Sequence, residues 1–113
     1  MSKQDVEHKV NYNKDGTIAC EHWRLDDKYH RTDGPARIDY YDNGTIHYEC
    51  WCLDGRYHRV DGPACIDYND DGTIHFEEWR LDGKEYGKEE FTMSYQHQMY
   101  LANIEVDKML EDV

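Results

Sequence analysis

The chain has 113 residues, of which 38% are hydrophobic and 13% aromatic, and its thirteen Lys and Arg face twenty-five Asp and Glu for a net charge of −12. That length suits one compact domain or one short repeat array, and ten Tyr with three Trp argue against an acidic disordered chain, which is poor in aromatic residues. The charge opposes direct contact with nucleic acid, whose phosphates are met by Lys and Arg, and with anionic membrane surfaces; it favours a protein partner with a basic surface.

At the start of the chain no apolar run follows Met1, so no signal peptide is expected. No segment approaches the roughly 18–20 apolar residues of a membrane span. The expected location is therefore the cytoplasm, of a host cell if the chain is viral. Thiols stay reduced there, so Cys20, Cys50, Cys52 and Cys65 are expected to be free.

From about residue 8 onward the sequence repeats. Gly16, Gly44 and Gly72 are 28 residues apart, as are Trp23, Trp51, Trp79 and Leu25, Leu53, Leu81. Asp33-Gly34-Pro35-Ala36 returns as Asp61-Gly62-Pro63-Ala64. A fixed period without slips means that each unit joins the last in the same way. Within one unit, Arg37 to Tyr41 reads as a strand, Asp42-Asn43-Gly44 as a hairpin turn, and Thr45 to Leu53 as the returning strand. Asp54-Gly55 turns the chain again. The predicted fold is mainly β: stacked antiparallel hairpins over residues 1–87, in units of about 8–35, 36–63 and 64–84.

Strand alternation sorts the side chains. Thr45, Glu49, Trp51 and Leu53 share one side, and Ile46, Tyr48, Cys50 and Cys52 the other. The Trp and Leu side is the same in every copy and is the expected core. The varying side is the expected exposed face. After Lys84 the pattern breaks, and residues 88–113 read as a C-terminal helix. Phe91, Tyr95, Met99, Ala102, Val106 and Met109 fall on one helical face, which is expected to cap the open end of the array. Tyr100, Leu101 and Ile104 lie off that face and are candidates for contact with a second chain, such as a homodimer partner.

The stretch Tyr29 to Tyr40 concentrates His30, Arg31, Asp33 and Asp39, residue types that can do acid–base work. It recurs at Tyr57 to Tyr68, and a residue set used twice at corresponding positions points to architecture. Asp33 and Asp61 suit turn chemistry, and Gly34, Pro35, Gly62 and Pro63 set the chain direction. Cys50, Cys52, Cys65 and His47 have zinc-ligand character but not the usual spacing. The turn acids lack a twelve-residue calcium loop. No cofactor, metal or catalytic residue is expected.

The segment Trp51 to Tyr68, with His58, Arg59, Asp61, Gly62, Pro63 and Ala64, resembles the MORN-variant repeats with an "NGxxHRxDGPA" core. The first copy, Trp23 to Ala36, is similar but carries Asp27 where Gly is usual. The resemblance covers about residues 8–84. Such repeats occur in phage and giant-virus proteins and in some antitoxin or immunity proteins. The resemblance implies a hairpin array used for interaction, without a shared catalytic set.

Charge and resemblance together lead to one functional expectation. The chain would be a non-enzymatic acidic binding protein, an anti-CRISPR-like phage inhibitor that blocks a host defence nuclease or another nucleic-acid-handling complex by steric and electrostatic means. Tyr41, Tyr48 and Phe76, with the acids Glu49, Asp67, Asp70 and Glu78, are the expected contacts, joined by Tyr100, Leu101 and Ile104 on the helix. The alternatives are an antitoxin or immunity protein and a self-assembling structural module.

Overall fold

The structure, a computed structural model, describes residues 5–111. Ten strands precede two helices. They are β1 (Glu7–Tyr12), β2 (Ile18–Leu25), β3 (Lys28–Tyr29), β4 (Arg37–Tyr40), β5 (Ile46–Cys50), β6 (Cys52–Leu53), β7 (Arg56–Tyr57), β8 (Cys65–Tyr68), β9 (Ile74–Leu81), β10 (Lys84–Tyr86), α1 (Lys88–Thr92) and α2 (Tyr95–Glu111). The main sheet runs β1-β2-β4-β5-β8-β9-β10, with β3 also paired to β2, and β6 and β7 form a separate two-stranded ribbon. Three long hairpins, β1/β2, β4/β5 and β8/β9, are thus joined edge to edge through β2–β4 and β5–β8. All pairing in the sheet is antiparallel.

Local chemistry makes these turns. At the tips of the long hairpins, Asp15, Asn43 and Asp71 accept bonds from the backbone N–H and hydroxyl of Thr17, Thr45 and Thr73. The following Gly44 has φ +86, a value that costs a side chain and not glycine. The short turns after β2, β6 and β9 hold positive φ at both central residues: Asp26-Asp27, Asp54-Gly55 and Asp82-Gly83. Two-residue loops of this kind match the twist of the flanking strands.

Each long hairpin carries a bulge beside its tip. In the middle one, Asp39 faces Tyr48 but Tyr40 faces Ile46, which leaves His47 unmatched. The extra residue shifts the alternation, so Ile46 falls opposite Tyr40, on the side of Glu49 and away from Tyr48. The returning strand is not continuous to Leu53. The Trp51 N–H donates to the Ala64 carbonyl and its carbonyl accepts from the His58 N–H, and Cys52 begins the separate ribbon.

The expected core side is corrected in part by the structure: Leu81 on it is buried, but the Trp residues are not. Ala36, Cys50, Cys52, Ala64 and Cys65 form the buried cluster, with Tyr29 and Tyr48 packed against it. Cys50 and Cys52 of the varying side thus lie in the core beside the repeated Ala36 and Ala64, because alanine and thiol side chains are small enough for neighbouring segments to close over them. On the opposite side Ile38 and Ile66 are buried, while Trp23, Trp51 and Trp79 remain half-buried. Cations cover the indoles from outside: Arg31 over Trp23 at 3.8 Å, Arg59 over Trp51 at 4.1 Å and Lys88 over Trp79 at 5.8 Å.

The C-terminal segment is two helices rather than one. Met93 ends α1, and the Ser94 hydroxyl accepts the backbone N–H of His97 at 3.2 Å, the geometry of an N-cap. The break resets the helical phase. Of the expected packing face only Phe91 is buried; Tyr95, Met99, Ala102, Val106 and Met109 are exposed. His97, Tyr100 and Ile104 are half-buried instead. His97 Nδ1 lies 2.7 Å from the Val60 carbonyl, and its ring packs on Phe91 at 4.9 Å.

Candidate protein-binding face

Register places one row of side chains straight across the sheet. Cys20, Asp39, Tyr48, Asp67 and Phe76 stand opposite one another on successive strands. The next row along is His22, Arg37, Cys50, Cys65 and Glu78. Between β5, β8 and β9 these rows bound a cleft of about 250 Å3. Tyr48, Tyr57 and Phe76 wall it, Cys65 lies at its base, and Asp67, Glu78 and Arg80 supply its charges. Four expected contact residues, Tyr48, Asp67, Phe76 and Glu78, are brought together here. Phe76 is 52% exposed, a large apolar surface beside two carboxylates.

The other expected contacts lie elsewhere. Glu49 is on the opposite face, where it accepts the Tyr68 hydroxyl at 2.6 Å. Its position on the strand, one residue from Tyr48, places it there. Tyr41 and Asp70 sit at neighbouring hairpin tips. The Tyr41 hydroxyl donates to the Tyr68 carbonyl at 2.7 Å, and the ring stacks on His47 at 4.2 Å. The Asp70 carbonyl accepts from Asn43 Nδ2 at 3.2 Å. Both residues tie one hairpin to the next. On α2, Leu101 is exposed, whereas Tyr100 borders a cavity of about 260 Å3 with Trp51, Arg59 and Val60. Tyr100 and Ile104 are thus half-covered and do not form the helix's outer surface.

The His-Arg-Asp-Gly-Pro segments hold the sheet margins. Arg31 donates to Asp33 at 2.9 Å and to the Pro35 carbonyl at 3.1 Å; Arg59 donates to Asp61 at 2.8 Å and to the Pro63 carbonyl at 3.1 Å. A Cβ on Gly34 or Gly62 would lie 2.8 or 3.1 Å from the guanidinium carbon, so glycine admits the arginine. His30 Nδ1 accepts the backbone N–H of Asp54 at 3.0 Å, and His58 Nδ1 that of Asp82 at 2.9 Å. With Nδ1 used as an acceptor, each imidazole spans to a turn 24 residues further along the chain. Trp23, Trp51 and Trp79 hold their places under the cations described above.

Two tyrosines escaped the sequence reading. Tyr40 donates to Glu21 at 2.5 Å and Tyr68 to Glu49 at 2.6 Å. Burial, then the carboxylate, pushes the Tyr40 phenol up to about 12. Their signal was present as Glu and Tyr 19 residues apart in both copies. His97 was also missed; a histidine among helical polar residues carries no sign of its carbonyl partner.

The core thiols are shifted in opposite directions. Cys52 Sγ donates to Cys50 Sγ at 4.0 Å, and this bond moves the Cys50 thiol down, whereas burial pushes the Cys65 thiol up to about 12. A thiol raised so far is protonated near neutrality and a poor nucleophile. Among the described residues no three His, Cys, Asp or Glu side chains are arranged to hold a metal ion. None of the described helices is long and apolar enough to cross a membrane. Comparison with protein-family models, curated proteins and solved structures finds no match for this chain.

Proposed function

We propose that the chain is an array of 28-residue, MORN-like hairpin units that serves as an acidic protein-binding module. The observation that carries this reading is the cleft between β5, β8 and β9, where exposed Phe76 and half-buried Tyr48 flank Asp67. Aromatic rings supply rigid contact area at low entropic cost, and the net charge of −12 steers association toward a cationic surface. Matching bonds at 28-residue offsets, Tyr40–Glu21 with Tyr68–Glu49 and Arg31–Asp33 with Arg59–Asp61, support the repeat. A partner of the expected kind is a basic nucleic-acid-handling protein of a host, blocked by occupation of its cationic groove. The test is retrieval of a partner from host lysate at low and high salt, by the wild-type chain and by Phe76→Ala. A partner held by the wild type, lost in the variant and released by salt supports the reading. Identical retrieval by both chains overturns the choice of face.

A second reading rests on α2. Tyr95, Met99, Ala102, Val106 and Met109 are exposed and follow the 4-3-4-3 spacing of a two-stranded coiled-coil seam. A second copy of this helix is the occupant that such a seam fits. Light scattering on size-exclusion fractions at tens of micromolar decides it, and a monomer removes this reading.

A further inference from the structure

Asp39 and Asp67 occupy matching places on one face of the sheet, each next to the bulge of its hairpin. Asp39 is neutralised within its own strand. Arg37 donates to it from Nε at 3.2 Å and from Nη2 at 3.1 Å. Two residues before Asp67 stands Cys65, a buried thiol. Among the described residues no hydrogen bond or ion pair reaches the Asp67 side chain. The cation that lines the cleft is already committed. Arg80 donates to Glu78 at 3.2 Å and to the Gly83 carbonyl at 2.9 Å, and lies 3.6 Å from Glu85.

The flanking residues differ as well. Asp39 stands between Cys20 and Tyr48, whereas Asp67 stands between Tyr48 and Phe76. A carboxylate with a ring on each side matches a guanidinium, which pairs with carboxylate through two parallel N–H bonds and is attracted to aromatic faces. A lysine ammonium is more strongly hydrated and lacks the planar fork.

We propose that the Asp67 cleft receives one arginine side chain of a partner protein, whose guanidinium stands toward Asp67 as Arg37 stands toward Asp39. This rests on the reading of the chain as a binder of basic proteins.

The test is a nitrogen-15 NMR titration of the full chain with N-acetyl-arginine amide at low salt. The matching citrulline and lysine amides serve as comparisons. The expected shifts concentrate on β5, β8 and β9 around Tyr48, Asp67 and Phe76. Affinity should fall about tenfold or more for citrulline amide and for Asp67→Asn, the loss typical of a charge-assisted pair. Equal binding of citrulline amide, unchanged affinity in Asp67→Asn, or shifts scattered over the acidic turns would overturn the proposal. Lysine amide binding as tightly as arginine amide would overturn the choice of guanidinium. Urea melts give an independent check. Asp39→Asn should lower the midpoint and Asp67→Asn should leave it unchanged; an equal loss in both means that Asp67 already has a partner in the chain. A protein partner retained by Asp67→Asn defeats the cleft alone. Arginine amide bound by a chain that retrieves no partner defeats the broader reading alone.

Discussion

The guanidinium carbon of Arg59 sits 4.1 Å from the centre of the Trp51 ring. The same group reaches Asp61 and the Pro63 carbonyl, so one side chain fastens the indole to the next turn. Its fork geometry is what lysine lacks. Arg59→Ala should cost about 2 kcal/mol, the sum of a cation–π contact and charge-assisted bonds. Arg59→Lys should lose more than half of that. Urea unfolding of the two variants checks it, and wild-type stability in Arg59→Lys would show that charge alone suffices.

Alkaline pH should loosen the opposite face. The Tyr40 phenol lies at about 12 against an ordinary 10.0, and Tyr68 is moved the same way, by burial and then by Glu49. A folded value above the unfolded one means that this stabilisation is complete below pH 10. It is then lost as pH rises from 10 through 12. The urea midpoint should fall across that window. A Tyr40→Phe/Tyr68→Phe chain should start lower at pH 9 and decline less steeply.

Asp27 holds φ +63 where the corresponding turns have Gly55 and Gly83 at +80 and +85. An aspartate tolerates the left-handed region better than most residues but still at a cost. Asp27→Gly should stabilise the chain by about 0.5 kcal/mol after the extra freedom of the unfolded state is deducted. Thermal melting should show a gain of about 2–4 °C.

His97 links α2 to the sheet through the Val60 carbonyl. Few other polar bonds do so; Gln96 reaches Asp82 at 3.5 Å. His97→Ala should release the helix without unfolding the strands. Amide exchange over α2 should speed about tenfold or more while the amides of β5 and β8 keep their protection. Parallel acceleration in the sheet would mean that helix and strands open as one unit.

Much of this architecture was legible because turns are local. The Asp-Gly and Asn-Gly pairs ending in Gly16, Gly44, Gly55, Gly72 and Gly83 all hold positive φ, and Gly16, Gly44 and Gly72 marked the hairpin tips; the pairs before Pro35 and Pro63 do not follow that rule. Less legible were the features set by single residues. One unmatched His47 moves Ile46 to the other face. One hydroxyl at Ser94 restarts the helix and turns Tyr100 and Ile104 inward. Period-based reading carries no signal of such shifts, since each leaves composition and spacing unchanged. The cleft was half legible. Tyr48 and Phe76 were identified by their variation among copies and Asp67 and Glu78 as acids beside them, but Glu49 was assigned to it by proximity in the chain alone.

The buried thiols make the protein its own stopwatch. Cys50, Cys52 and Cys65 are 2%, 2% and 5% exposed and share one buried cluster, Cys50 facing Cys65 where the second and third hairpins join and Cys52 at the start of the adjoining ribbon, while Cys20 is only half-covered. A small disulfide reagent should therefore react with Cys20 at once and with the other three only when that junction parts. The slow phase would time the opening of the middle of the sheet in the native chain, with no label added, and each variant above could be read on the same clock.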